Sequence, residues 1–141
     1  MKNTFKYLVG AALAIFAGKL VLSYGNVWFH LLDGNGFTIA LYAFLALVGY
    51  VFASKVSKKI ELTYKTAVLC AIGVGFLAAL LDLLIPLVYA VLPPVAGQPA
   101  INLAAVYSNI YGLLYNVVMG TLFGTVFIAI GEFLHMFMRR R

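Results

Sequence analysis

Four long apolar stretches constrain the fold of this chain more than any other feature. A helix of about 20 apolar residues matches the ~30 Å hydrocarbon core of a bilayer. The predicted spans are approximately 5–24, 37–53, 66–92 and 112–131. Only 10% of the 141 residues are charged, whereas soluble domains carry about 25%. We therefore predict a single all-α domain over 1–141, an integral membrane bundle of four transmembrane helices.

Basic residues are concentrated in three segments of the chain. Every lysine and arginine except Lys19 lies in the amino terminus, in the linker between the second and third spans, or in the carboxyl terminus. By the positive-inside rule, this distribution predicts that both termini and the linker face the cytoplasm. We expect a multi-pass protein of the plasma (inner) membrane.

The last apolar segment carries small and polar residues at intervals of four, namely Gly112, Asn116, Gly120 and Gly124. Residues at this spacing share one helix face, and small side chains allow another helix to approach closely. We therefore predict that Gly112, Gly120 and Gly124 are helix-packing residues. Similar small-residue sets in the other spans are Gly10, Ala14 and Gly18; Ala46, Gly49 and Ala53; and Ala71, Gly75 and Ala79.

Three ionisable residues lie inside the apolar segments or at their edges: Lys19, Asp82 and Glu132. A charge at the bilayer centre costs ~2.5–3.5 kcal/mol on insertion scales, so each needs a partner or water. Lys19 and Asp82 both fall in the outer half of helices that run in the same direction, which makes an ion pair possible. Separate anchoring at the interface and a substrate or ion site are the alternatives.

Glu132 and His135 are three residues apart and share a helix face. A carboxylate and an imidazole at this spacing can hold a metal in carboxylate-bridged bundles, but such sites need several similar contributions. We therefore expect no metal and no cofactor. Instead, we expect Glu132 to pair with Lys58 or Lys59 at the inner interface.

Two asparagines in the last segment have two possible roles, in helix packing or in a functional site. Asn109 and Asn116 are seven residues apart, and an amide at the depth of Asn116 needs a cross-helix hydrogen bond. Both could serve helix packing, or both could line a polar cavity near Asp82. Pro86 follows Asp82 by four residues and predicts a kink or a helix end there.

Catalytic patterns are missing from the sequence. It holds no nucleophile with a base at useful spacing, no phosphate-binding loop and no cysteine pair, so we expect a protein that is not an enzyme. No basic stripe on a soluble domain indicates a nucleic-acid partner. The leading hypothesis is a small membrane protein that acts through helix–helix association, as a homo-oligomer or as a subunit of a larger membrane complex.

The alternative hypothesis is a small transporter or channel. Its polar pathway would contain Lys19, Asp82, Asn109 and Asn116 in the outer half of the bilayer. The two hypotheses differ in what Asp82 faces. A dry contact with Lys19 favours assembly, and a water-filled cleft favours transport.

Overall fold

The computed structural model describes residues 2–30, 32–59, 62–95 and 101–139, and the regular structure within these ranges is entirely helical. The helices are α1 (Lys2–Phe29), α2 (Gly34–Val56), α3 (Tyr64–Asp82), α4 (Ile85–Val91), α5 (Leu103–Ser108) and α6 (Ile110–Arg139). Four stretches are long and apolar enough to cross a membrane: Phe5–Phe29, Gly34–Val56, Tyr64–Val91 and Ile110–Arg139. The predicted all-α class with four candidate spans is therefore confirmed.

Polar caps determine where the second and third spans begin. The Asp33 carboxylate accepts a 2.6 Å hydrogen bond from the Gly36 amide at the start of α2. Thr63 and Thr66 form a capping box at the start of α3, in which each side chain bonds to the backbone of the other. Both helices therefore begin two or three residues before the predicted starts of these spans, Phe37 and Thr66.

The four long helices form a bundle in which α6 packs chiefly against α2 and α3. Helix α1 lies on the other side of the bundle, where it contacts α2 and α3 less extensively. The buried core combines alanines of α3 with a few larger side chains, including Ile15, Phe52, Val74 and Ile128. Large apolar side chains cover the outward faces, and this surface suits lipid far better than water.

Glycines allow the backbone of α6 to touch those of its two neighbours. A Cβ atom added at Gly49 would overlap the carbonyl of Ile128, and one added at Gly131 would overlap the carbonyl of Ala46. Toward α3, a Cβ at Gly124 would lie 3.3 Å from the Gly75 Cα. The small-residue faces of α2, α3 and α6 are therefore occupied by contacts within the chain.

Gly131 provides a direct test of the α2–α6 contact. Gly131→Ala should lower the free energy of unfolding by about 1–3 kcal/mol, the usual cost of overpacking, because the α2 backbone must move away. Gly25→Ala is the matched control, since it also replaces a helical glycine but its Cβ meets nothing within 4 Å. Thermal unfolding in mild detergent measures both, and equal stability of the two variants would contradict the contact.

Candidate functional site

Lys19 and Asp82 form an ion pair between α1 and the last residue of α3, in which the ammonium donates to Oδ2 of the carboxylate. The two side chains are 19% and 25% exposed. Gly73 of α3 faces Leu8 of α1, and Tyr89 of the following α4 bonds to Ser23, so the partners advance together along the sequence. The helices therefore run parallel, and this direction brings the two charges to the same level.

The third span is interrupted directly after Asp82. The amides of Leu83 and Leu84 bond to carbonyls three residues earlier, at 3.2 and 2.9 Å, which is the tighter 3₁₀ pattern. Pro86 lies in the first turn of α4, where a residue without an N–H is tolerated. The Tyr107 hydroxyl donates a 2.7 Å hydrogen bond to the Leu83 carbonyl. The interruption is thus a defined break at the position where the sequence predicts a kink.

A cleft of about 400 Å³ lies beside this break, in the interior of the bundle. Helices α1, α2, α3, α4 and α6 all contribute to its walls, most of which are apolar. Its polar lining residues are Lys19, Ser23, Asp82, Tyr89 and Asn116. The Ser23 and Tyr89 hydroxyls lie 2.6 Å apart and hydrogen bond to each other. The arrangement is therefore an apolar cavity with a few converging polar groups, which is typical of small-molecule sites.

One oxygen of Asp82 remains unused within this arrangement. Oδ2 accepts from Lys19, whereas Oδ1 is buried and has no hydrogen-bond partner among the residues that the structure describes. An ionised carboxylate can accept several hydrogen bonds. Asn116 adds an amide that both donates and accepts. Asp82 therefore keeps one buried acceptor without a partner in the described residues next to a fixed positive charge, at the edge of the cleft.

Asn109 and Gly112 have roles other than the expected ones. The Asn109 side chain accepts a 3.0 Å hydrogen bond from the Gly112 amide and so caps the start of α6. A Cβ added at Gly112 would meet the Asn109 side chain first rather than another helix. Neither residue lines the cleft. Capping explains both positions, because α5 ends and α6 begins at this point.

Ser23 and Tyr89 belong to the cleft although the sequence analysis did not single them out. Ser23 lies four residues after Lys19, and Tyr89 lies seven after Asp82. The interval of four places the Ser23 hydroxyl on the helix face of Lys19, and this spacing is the signal that would have identified Ser23. Tyr89 lies in α4, beyond the break, so helical spacing from Asp82 could not have identified it.

The expected pairing of Glu132 with Lys58 or Lys59 is wrong. The Glu132 side chain is completely buried, and neither carboxylate oxygen has a hydrogen-bond partner in the described part of the chain. Lys58 and Lys59 are exposed. The physical reason is that α6 stays packed against its neighbours beyond Gly131 instead of emerging along the membrane surface.

His135 and Arg139 attach the end of α6 to the end of α2. His135 Nε2 lies 3.3 Å from the Ser57 hydroxyl, and its ring packs edge-on against Tyr50 with centroids 5.2 Å apart. The Arg139 guanidinium donates to the Ser57 carbonyl at 3.4 Å, where the helix terminus carries partial negative charge.

Within the described ranges, no three His, Cys, Asp or Glu side chains are grouped so that they could hold a metal.

Comparison with protein-family models, curated proteins and solved structures found no match. The function therefore has to be inferred from the geometry of the chain itself. That geometry distinguishes one cleft, in which an ion pair, an unused carboxylate oxygen and a helix break come together.

A double-mutant cycle tests whether Lys19 and Asp82 depend on each other. Asp82→Asn should lower stability because it leaves an ammonium group without its partner, and adding Lys19→Met should restore part of the loss. The coupling energy should fall in the ~0.5–3 kcal/mol range of contacting residues, and near its lower end because both side chains are partly exposed. Unfolding in mild detergent measures all four proteins. Strictly additive effects would show that the two charges act separately.

Proposed function

We propose that this protein is a small multi-pass membrane transporter whose outer cleft binds a small cationic solute at Asp82. The observation that supports this most directly is the position of Asp82 on the wall of a cavity, with a buried Oδ1 that has no hydrogen-bond partner in the described residues. A carboxylate that served only to fasten α1 to α3 needs no cavity beside it. A solute ammonium or guanidinium group supplies the hydrogen-bond donors that this oxygen lacks.

The break between α3 and α4 also supports transport. Irregular backbone at membrane depth is tolerated where it lines a cavity or is buried in protein. Many transporters place their substrate sites at interrupted helices, near the middle of the bilayer. The cavity volume of about 400 Å³ lies within the usual ~300–1,000 Å³ range of small-molecule sites.

The Lys19–Asp82 pair supplies a means of coupling binding to movement. A cationic solute competes with Lys19 for the same carboxylate, and its binding weakens the link between α1 and α3. A ligand shifts a conformational equilibrium only by its differential affinity for the two states. Here the difference comes from the exchange of one cation for another at Asp82.

Association between copies of the chain remains a separate prediction. The stripe that suggested it contains Gly120 and Gly124, and these face Ala79 and Gly75 of α3. Because they are occupied inside the bundle, they are not available to a second copy. The cleft thus supports transport more strongly than the stripe supports assembly.

The proposed orientation places both termini and the basic linker in the cytoplasm, in a plasma (inner) membrane. A reporter that is active only in the cytoplasm should give signal when fused after Arg141. The same reporter inserted between residues 96 and 100 should give none. Signal from the inserted reporter alone would reverse the orientation and place the cleft in the inner half of the membrane.

Uptake into liposomes tests the proposed activity. The purified protein should carry radiolabelled methylammonium or guanidinium into vesicles, above the rate of empty vesicles. The double variant Lys19→Met/Asp82→Asn removes the charges without stranding either one, so it should fold but lose uptake by about tenfold or more, the equivalent of ~1.4 kcal/mol of binding free energy. A correctly folded double variant that still transports would contradict the proposal.

Asp33→Asn is the matched control for this experiment. It removes the same charge from an exposed helix cap that does not line the cleft. Its uptake should equal that of the original protein. Equal losses in both variants would mean that the loss of uptake does not come from the cleft.

A further inference from the structure

A second groove lies between α1 and α2, at the opposite end of the bundle from the cleft. Its volume is about 340 Å³, and it is lined almost entirely by apolar surface. The α1 side contains Gly10 and Ala14, and the α2 side contains Leu47 and Val51. A Cβ added at Gly10 would meet nothing within 4 Å. The groove exists because small residues on α1 leave the space beside α2 unfilled.

Two lysines form the polar part of this groove. Lys6 of α1 and Lys55 of α2 both line it, and no acidic residue does. Both are exposed, and neither takes part in a salt bridge within the described part of the chain. Two ammonium groups that share one groove repel each other unless an anion lies between them. The groove therefore combines an apolar channel with a site for a negative charge at its end.

We propose that this groove binds one anionic phospholipid, with the phosphate at Lys6 and Lys55 and an acyl chain along Gly10 and Ala14. Phosphate is a good ligand for lysine ammonium groups. An acyl chain fills the apolar channel and restores the dispersion contacts that an open groove lacks. The occupant thus has to be amphipathic, with its charge at one end.

The described residues of a second copy of the chain supply no acid that fits this groove. The acids in the described residues are Asp33, Asp82 and Glu132. Asp33 lies at the far end of α2, Asp82 is paired with Lys19, and Glu132 is buried. None of these presents a negative charge that could meet the two lysines, whereas an anionic headgroup does.

Lipid titration of the purified protein tests the proposal. Dioleoyl phosphatidylglycerol and dioleoyl phosphatidylcholine have the same acyl chains and differ in charge. Native mass spectrometry should show one tightly bound phosphatidylglycerol, and this lipid should raise the unfolding temperature more than phosphatidylcholine does. Equal affinity for the two lipids would overturn the proposal.

Two other lysines of the chain provide a matched control for Lys6 and Lys55. Lys6→Gln and Lys55→Gln should each weaken phosphatidylglycerol binding about fivefold, which corresponds to ~1 kcal/mol for one basic residue near an anionic surface. Lys58→Gln and Lys59→Gln remove equally exposed lysines that do not line the groove, so they should have no effect. Equal losses in both pairs would mean that binding follows general basic charge and would overturn the site.

Gly10→Leu tests the acyl-chain channel independently of the two lysines. The added side chain occupies the groove without meeting the protein at Cβ, so the fold should survive while the bound lipid is lost. Gly25→Leu is the control at an equally open position. The proposal would be overturned if glycerol 3-phosphate raised the unfolding temperature as much as the lipid does. It would also be overturned if Gly10→Leu changed the oligomer size without losing the bound lipid.

Discussion

The close approach of the α6 backbone to α2 and α3 is the contact on which the rest of the bundle depends. Inside a membrane there is little hydrophobic force between helices, so association relies on van der Waals packing and hydrogen bonds. Gly49, Gly75, Gly124 and Gly131 supply that packing because each allows backbone atoms to touch. Stacking of Tyr42 on Phe127, with centroids 4.1 Å apart, extends the α2–α6 contact. These three helices form the closely packed part of the molecule.

Helix α1 is held in a different way. Apart from apolar contacts, it is attached by the Lys19–Asp82 pair and by hydrogen bonds near its carboxyl end, from Tyr24 to the Leu92 carbonyl and from Trp28 to the Pro94 carbonyl at 2.8 Å. Three cavities, of about 400, 340 and 190 Å³, each include residues of α1. Each of these three cavities therefore borders α1, the helix that polar contacts join to its neighbours.

Hydropathy and residue depth predicted much of this arrangement. The four spans follow from apolar length, and the possible Lys19–Asp82 pair follows from counting residues inward from the basic ends. The role of Gly131 could not be predicted in this way, because Glu132 follows it and a carboxylate was taken to mark the membrane surface. Spacing also identifies a helix face without identifying its neighbour. For that reason Gly120 and Gly124 were recognised as packing residues, while the partner that they meet could only come from the three-dimensional fold.

Glu132 is a buried carboxylate in the half of the bundle opposite Asp82. It is the one polar side chain that is fully buried in the described residues, and an unsatisfied polar group costs about 1–3 kcal/mol. Ile128, one turn away, lines the 190 Å³ cavity, which shares Lys19 and Leu41 with the outer cleft. In the proposed transport function, this cavity is therefore the next space that a solute leaving Asp82 would enter. Because α6 is fixed by its glycine contacts to α2 and α3, the proposed transport would move α1, the helix that the ion pair holds at Asp82.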